Sequence, residues 1–286
     1  MVDDYRRDAD ESEQEPDEPG PEYSAPPSDA DENRETDAEE ASEPLPPAPD
    51  DDWADALLED ADEAIDPARV VRELRAELER HLAARDKAAF VRAAVEVVTG
   101  ERLTIPVLYA DVLTPLLVDT GAGWQRGQVA IWEEHMASAM VRTVVEILYP
   151  GVVRLRLAAP ALNRRVLLAT PPEETHDLGL RMIADRFDMA GWTTYFLGAD
   201  TPVEQLIDAA RKLDVDAIVL SSATHYHRLF LREYVDQLKR ELSHVHVWVG
   251  GSAFAKGDEG WPASELRDLD SLLADYSGPR GLREAG

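Results

Sequence analysis

Residues 165–179 read RVLLATPPEETHDLG. The first six, Arg165–Thr170, form an apolar run of strand length; the rest turns abruptly to proline, charge and one histidine. The same alternation continues downstream. Trp192–Leu197 (WTTYFL) is β-branched and aromatic, Ala217–Ser221 (AIVLS) is apolar, and Val245–Val249 ends against Gly250-Gly251. Between these runs, Asp177–Met189, Pro202–Leu213 and Phe230–Leu242 carry helical periodicity. Short apolar strands alternating with helices predict parallel βαβ units and a doubly wound sheet over residues 162–275. The usual fifth strand and last helix are hard to find in SAFAKGDEGWPASELRDLDSLLADYSG, so the sheet is expected to lack a strand or carry a distorted one. Sheets of this kind bind ligands in loops beyond the carboxyl ends of their strands, where residues 171–179 fall.

Upstream the period is helical. Asp66-Pro67 reads as an N-cap followed by proline at the first helical position. Val70, Val71, Leu74, Leu78 and Leu82 then mark one buried face. A second helix fits Lys87–Val98, with Phe90, Val91, Ala94, Val95 and Val98 inward and Gly100 as its stop. Thr104-Ile105-Pro106 opens a third, whose apolar positions are Val107, Leu108, Val112, Leu113, Leu116 and Leu117. Gly121, Gly123 and Gly127 bracket an expected turn around Trp124. A fourth helix is expected from Val129 to Leu148, stopped by Pro150-Gly151. Four amphipathic helices with short connections predict a four-helix bundle over residues 66–150.

The chain of 286 residues has a formal net charge of −29, unevenly spread. Residues 1–60 hold 24 acidic residues against three basic ones (Arg6, Arg7 and Arg34), a net of −21, which leaves −8 for the remainder. This balance argues against direct nucleic-acid binding, which needs clustered positive charge, and against docking on an anionic membrane. Residues 1–60 read as a disordered acidic tail, too poor in apolar residues to offset the entropy of ordering. Within and just beyond it, DDWADALLEDADEAI (51–65) places Trp53, Leu57, Leu58, Ala61 and Ile65 near helical spacing. It reads either as an incidental helical turn or as a short acidic docking segment for a protein partner. The absence of cysteine excludes disulfides, thiolate metal sites and a thiol nucleophile. No apolar run reaches the ~18 residues of a membrane span, and the N-terminus lacks the apolar core of a secretory signal. A cytoplasmic location is expected.

Chemistry concentrates around His176. It follows Glu174 by two residues and precedes Gly179 by three, beside Asp177, where a carboxylate can fix the imidazole tautomer and raise its basicity. From Gly179, 41 residues intervene before Ser221, and from Ala223, 26 intervene before Gly250-Gly251. This stretch resembles the cobalamin-binding domain family, whose fingerprint is D-x-H-x-x-G, a gap, S-x-L or S-x-T, a second gap, then G-G. The resemblance implies His176 as lower axial ligand to cobalt, a serine lining the slot for the displaced nucleotide base, and Gly250 and Gly251 leaving room for its tail. Glu174 stands where the family has Asp, and Ala223 where it has Leu or Thr. Ser221 fits the spacing, while Ser222-Ala223-Thr224 fits after a shift of one residue, so both serines stay candidates.

The helical segment adds a second pattern. Trp124, nine residues, then Glu134-His135 resembles the helical cap of adenosylcobalamin-dependent photoreceptor regulators of the CarH/LitR type. In these the cap sits over the upper face of the corrin, so the resemblance places Trp124, Glu134 and His135 there. Trp132 reads as core or interface. The winged helix-turn-helix of those regulators has no counterpart in residues 1–60, and Gln125 stands where some of them have a histidine. His225 and His227 flank Tyr226 at the ligand edge and read as surface residues or contacts to corrin amides. His81, His244 and His246 read as structural or solvent-facing.

Together the resemblances imply α plus α/β architecture: an acidic tail, a four-helix-bundle cap, then a Rossmann-like (flavodoxin-like) sheet domain. They imply a non-enzymatic cobalamin sensor responding to light or cofactor level, with adenosylcobalamin the favoured form and methylcobalamin the alternative. Without a DNA reader of its own, it would act on transcription through a regulatory protein partner, as a monomer or a homo-oligomer. The second reading is a corrinoid carrier for methyl transfer, and a third is a degenerate domain that binds no cofactor.

Overall fold

The computed structural model describes residues 66–254 and 260–278, with the side chains of 225–229 excepted. The acidic tail, the 51–65 segment and the side chains of His225 and His227 lie outside the described residues. Helix α1 (Pro67–Ala84) starts where Asp66 accepts a hydrogen bond from Ala68 N at 3.0 Å. Arg85, left-handed at φ 58°, turns the chain into α2 (Lys87–Thr99), capped by Asp86 accepting from Ala89 N at 2.9 Å. Helix α3 (Ile105–Gln125) is one continuous helix whose middle, Leu108–Leu113, is wound as π-helix. Trp124 therefore lies in its last turn rather than in a loop, with Gly121 and Gly123 helical, and the turn proper comes at Gly127 (φ 70°).

Helix α4 (Ile131–Ala158) overrides the expected stop at Pro150-Gly151 and continues to Ala158. Proline in a helix interior forfeits a hydrogen bond, but packing offsets that loss. A Cβ on Gly151 would sit 2.9 Å from Ile105 Cδ1, so glycine lets the start of α3 close on α4. Beyond it Val152 is buried, and Arg156 pairs with Asp188 at 2.7 Å. By length and composition α3 and α4 both pass for membrane spans, at 21 and 28 residues with mean hydropathy 1.3, although the contiguous runs look too short. One flank of each is instead core: Leu108, Val112, Leu113, Val141, Val144 and Val145 join Leu74, Leu78 and Phe90 in a single cluster. That cluster takes in Leu178 and Met182 of the following domain, so cap and sheet domain share apolar packing.

Among the described residues the sheet has four parallel strands in the order β2-β1-β3-β4. These are β1 (Arg165–Ala169), β2 (Thr193–Gly198), β3 (Ala217–Ser221) and β4 (His246–Gly250). Helices α5 (Leu178–Met189), α6 (Val203–Leu213) and α7 (His225–Glu241) connect them. The fifth strand is reduced to one parallel bridge, Val249 to Leu266, and the last helix survives as the short α8 (Leu269–Asp275), capped by Asp268. The interior strands explain the continuous apolar runs: every residue of β3 is buried.

Candidate functional site

The chain leaves β1 for a strand on one side and β3 for a strand on the other. The loops after these two neighbours therefore diverge and open a crevice at the carboxyl edge. The β1 loop is tied down from below. Thr170 Oγ1 donates to Glu174 O at 2.5 Å and accepts from Asp200 N at 3.1 Å, while Glu173, left-handed at φ 64°, donates its N–H to Asp200 Oδ1 at 2.8 Å.

These ties bury Glu174 completely. Its Oε1 accepts from His176 N at 3.1 Å and lies 2.5 Å from His176 Nδ1, and its Oε2 accepts from Ala223 N at 2.8 Å. The longer side chain thus spans the crevice and joins the histidine loop to the serine loop. Burial works to raise the Glu174 pKa, but the hydrogen bonds from the His176 ring, Ala223 N–H and His176 N–H outweigh it and hold the carboxyl at about 2. The hydrogen bond to Glu174 raises the His176 pKa against the opposing effect of burial, helped by the charges of Glu174, Glu134 and Asp177. With Nδ1 engaged and the side chain half exposed, Nε2 is the nitrogen that no described contact uses.

On the serine loop the two candidates differ. Ser222 is fully buried; its N–H donates to Gly250 O at 2.9 Å and its hydroxyl donates to Thr224 O at 3.2 Å. The hydroxyl of Ser221, opposite Gly250 in the ladder, makes no hydrogen bond among the described residues. The two glycines differ as well. A Cβ on Gly250 would meet nothing within 4 Å, and the same holds for Gly179. A Cβ on Gly251 (φ 108°) would lie 2.2 Å from Ser222 O, so this glycine serves the protein's own backbone.

From the cap, Glu134 lies near the start of α4, which opens with Glu133 accepting from Ala130 N at 3.0 Å. Glu134 accepts from Ser138 Oγ at 2.9 Å and sits 3.7 Å from His135 Nε2. Trp124 is 42 % exposed and the His135 side chain 70 %, and no described contact joins either to the His176 loop. Trp132 is exposed beneath Arg85, 5.3 Å from its ring centre, rather than core. Asp177 is engaged elsewhere: it accepts from Arg142 of α4 at 2.7 Å, tying cap to sheet next to His176. A second tie runs from the π-wound turn, where Tyr109 OH donates to Asp185 Oδ2 at 3.2 Å and Arg181 Nε to Asp185 Oδ1 at 3.0 Å. Arg142 and Tyr109 belong to no motif in the sequence; only the docking of α5 on the cap reveals their partners.

The residues fit a corrinoid. One imidazole nitrogen is free on a backed ring, Ser221 offers an unspent hydroxyl, and Gly179 and Gly250 leave open space where side chains would intrude. Among the described residues no cluster of three or more His, Asp or Glu is placed to cage a bare ion.

Comparison with known proteins agrees. Two B12 binding domain family models match, one over residues 164–262 and the other over 74–149. The chain is 34 % identical over 147 residues to the HTH-type transcriptional repressor CarH of Myxococcus xanthus, covering 51 % of this chain and 47 % of that protein. It is 33 % identical over 114 residues to the repressor CarA of the same organism, covering 40 % of this chain and 36 % of CarA. It thus spans half or less of the length of these two relatives. The monomethylamine corrinoid protein of Methanosarcina barkeri shares the fold at TM-score 0.60 and 15 % identity, covering 71 % of this chain and 97 % of that one.

Proposed function

From a chain that belongs to the B12-binding domain family, with helical cap and sheet domain in succession, we infer a cytoplasmic cobalamin-dependent regulator rather than an enzyme. The observation that carries this reading is His176, held by a fully buried carboxylate through Nδ1 with Nε2 left free. In this reading His176 Nε2 would hold the cobalt, and Glu174 would orient the ring and strengthen it as a donor. Ser221 hydrogen-bonds the displaced base, and Gly250 and Gly179 leave room for the nucleotide tail. Gly251 and Ser222 hold the backbone that shapes the slot, and Asp177 acts through Arg142. Trp124 and Glu134, with His135 beside them, would face the bound group from the cap.

Bound adenosylcobalamin supplies a cobalt–carbon bond that light can break. The cap is the element that responds: Trp124 ends α3, Glu134 begins α4, and both helices are tied to α5, which starts at the histidine loop. Through the Arg142–Asp177 and Tyr109–Asp185 ties, a change in the bound group would reach the cap's packing as a two-state rearrangement. Output passes to a separate regulatory protein, through the cap or the acidic tail, with a change in assembly as the alternative route.

A corrinoid carrier for methyl transfer is the second reading, favoured by the 42 % exposure of Trp124, since a carrier must leave cobalt accessible to two enzymes. One experiment separates them. The purified chain is mixed with adenosylcobalamin in the dark, its spectrum and elution volume recorded, and then illuminated with green light. A light-dependent change in both supports the regulator. Stable binding with no change in assembly, together with methyl turnover in the presence of a methyltransferase, overturns it. A His176→Ala protein that binds with an unchanged spectrum removes the axial-ligand assignment.

A further inference from the structure

Helix α4 buries one flank in the cap, and its outer flank is apolar as well. Ile147 is 48 % exposed, Val153 37 % and Leu157 80 %, with Pro150 exposed between them. At 3.6 residues per turn these four share a stripe roughly 120° wide. Two charged residues interrupt it, Glu146 and Arg154. Both are exposed, and neither side chain has an ion pair or hydrogen bond among the described residues. The other cations of this part of the helix are engaged, Arg142 with Asp177 and Arg156 with Asp188.

The order of the stripe is symmetric about Pro150. Ile147 and Val153 stand three residues to either side of it, Glu146 and Arg154 four, and Thr143 and Leu157 seven. Two antiparallel copies of α4, related by a two-fold axis at Pro150, therefore bring opposite charges level with each other twice, Glu146 with the partner's Arg154 and Arg154 with the partner's Glu146. A parallel pair would set each charge against its like. We propose that the outer flank of α4 is the face on which a second copy of this chain docks, antiparallel and two-fold symmetric.

The surroundings fit a second helix. Val91 and Val95 of α2, with Thr143 and Ile147 of α4, line an almost wholly apolar trough beside the stripe. Thr143 is level with the partner's Leu157, so the trough receives the most exposed of the large apolar side chains described. A lipid surface would leave Glu146 and Arg154 without opposite charges, which makes burying them costly. A specific interface takes about 20–30 residues a side. Stripe and trough supply roughly half that number, so the pairing is weak and reversible, at micromolar concentration or above. The inference stands apart from the cobalamin reading, since it uses none of the crevice residues and is tested without cofactor.

Sedimentation of the whole, cofactor-free protein tests it, at about 0.15 M salt to screen the net charge of −29. Mass is expected to rise from monomer toward dimer between about 5 µM and about 500 µM. Glu146→Arg and Arg154→Glu each set like charges level and should weaken pairing at least about tenfold. Mixed together, the two variants should pair with each other, because each then meets opposite charge at both positions. Both should keep the wild-type circular dichroism, which separates lost pairing from lost fold. The chain has no cysteine, so Pro150→Cys puts one thiol on the two-fold axis, where oxidation should link the copies. Leu157→Cys lies seven residues from the axis, roughly 21 Å from its symmetry mate, and should not link. A monomer at every concentration overturns the proposal, including one that instead sediments with phosphatidylcholine vesicles. So does a dimer that survives both charge reversals, or one that links through Leu157→Cys as readily as through Pro150→Cys.

Discussion

Neighbouring glycines should behave as opposites. In Gly251→Ala the new Cβ would lie 2.2 Å from Ser222 O, at a backbone φ of 108°. A side chain held in that region costs on the order of 1–3 kcal/mol. Relief of the contact requires Ser222 to shift, straining the bonds Ser222 N to Gly250 O at 2.9 Å and Ala253 N to Ser222 O at 3.1 Å, each worth about 1 kcal/mol. The expected loss is about 3–5 kcal/mol, enough to lower the melting temperature of a domain this size by roughly 6–20 °C. In Gly250→Ala the Cβ meets nothing within 4 Å, so apo stability should stay within about 1 kcal/mol. Its cobalamin affinity should fall at least about tenfold, because the methyl group occupies the space left for the ligand. Urea denaturation of the apo proteins and absorbance titration with cobalamin read the two effects. A Gly251→Ala protein as stable as wild type would refute the strain argument; a Gly250→Ala protein binding as wild type would refute the assignment of that open space.

Glu174→Gln should destabilise the apo protein by roughly 3 kcal/mol at neutral pH, the worth of holding a carboxyl at about 2 instead of its ordinary 4.5. Since the folded pKa is the lower one, this stability is present above pH 4.5 and lost as pH falls toward 2; denaturant midpoints across that window should slope in the wild type and flatten in the variant. Tyr109→Phe leaves Asp185 with Arg181 but without its phenol donor, and should cost about 1–2 kcal/mol by thermal melting. Pro150→Ala restores an N–H inside a continuous helix at an exposed position and should raise stability by about 1 kcal/mol or more; a loss would mean that α4 needs the proline's bend.

Much of the site was legible because its parts are local. His176 and Glu174 lie two residues apart on one loop, and the strand ends carrying Ser221 and Gly250 announce themselves by apolar runs that stop. The helices of the cap were equally readable from their stripes. What failed were readings that depended on contacts from elsewhere. Pro150-Gly151 looks like a helix stop, yet Ile105 packing on Gly151 and the pairing of Arg156 with Asp188 carry the helix through it. Trp124 looks like a loop residue among glycines, yet it closes a helical turn. Of the two readings of Trp132, core or interface, its exposure under Arg85 removes the first.

The primary structure by itself determined the alternation of strand and helix, the helical module ahead of it, the acidic composition of residues 1–60 and the histidine at the carboxyl edge of the sheet, since periodicity and turn chemistry are written in near neighbours. Only the tertiary structure decided how those parts meet. It sends Glu174 Oε2 across the crevice to Ala223 N, spends the hydroxyl of Ser222 while leaving that of Ser221, assigns Gly251 to the backbone and Gly250 to open space, and couples Asp177 to Arg142. Each of these depends on distances between segments tens of residues apart, which burial and hydrogen bonding settle and local spacing does not encode.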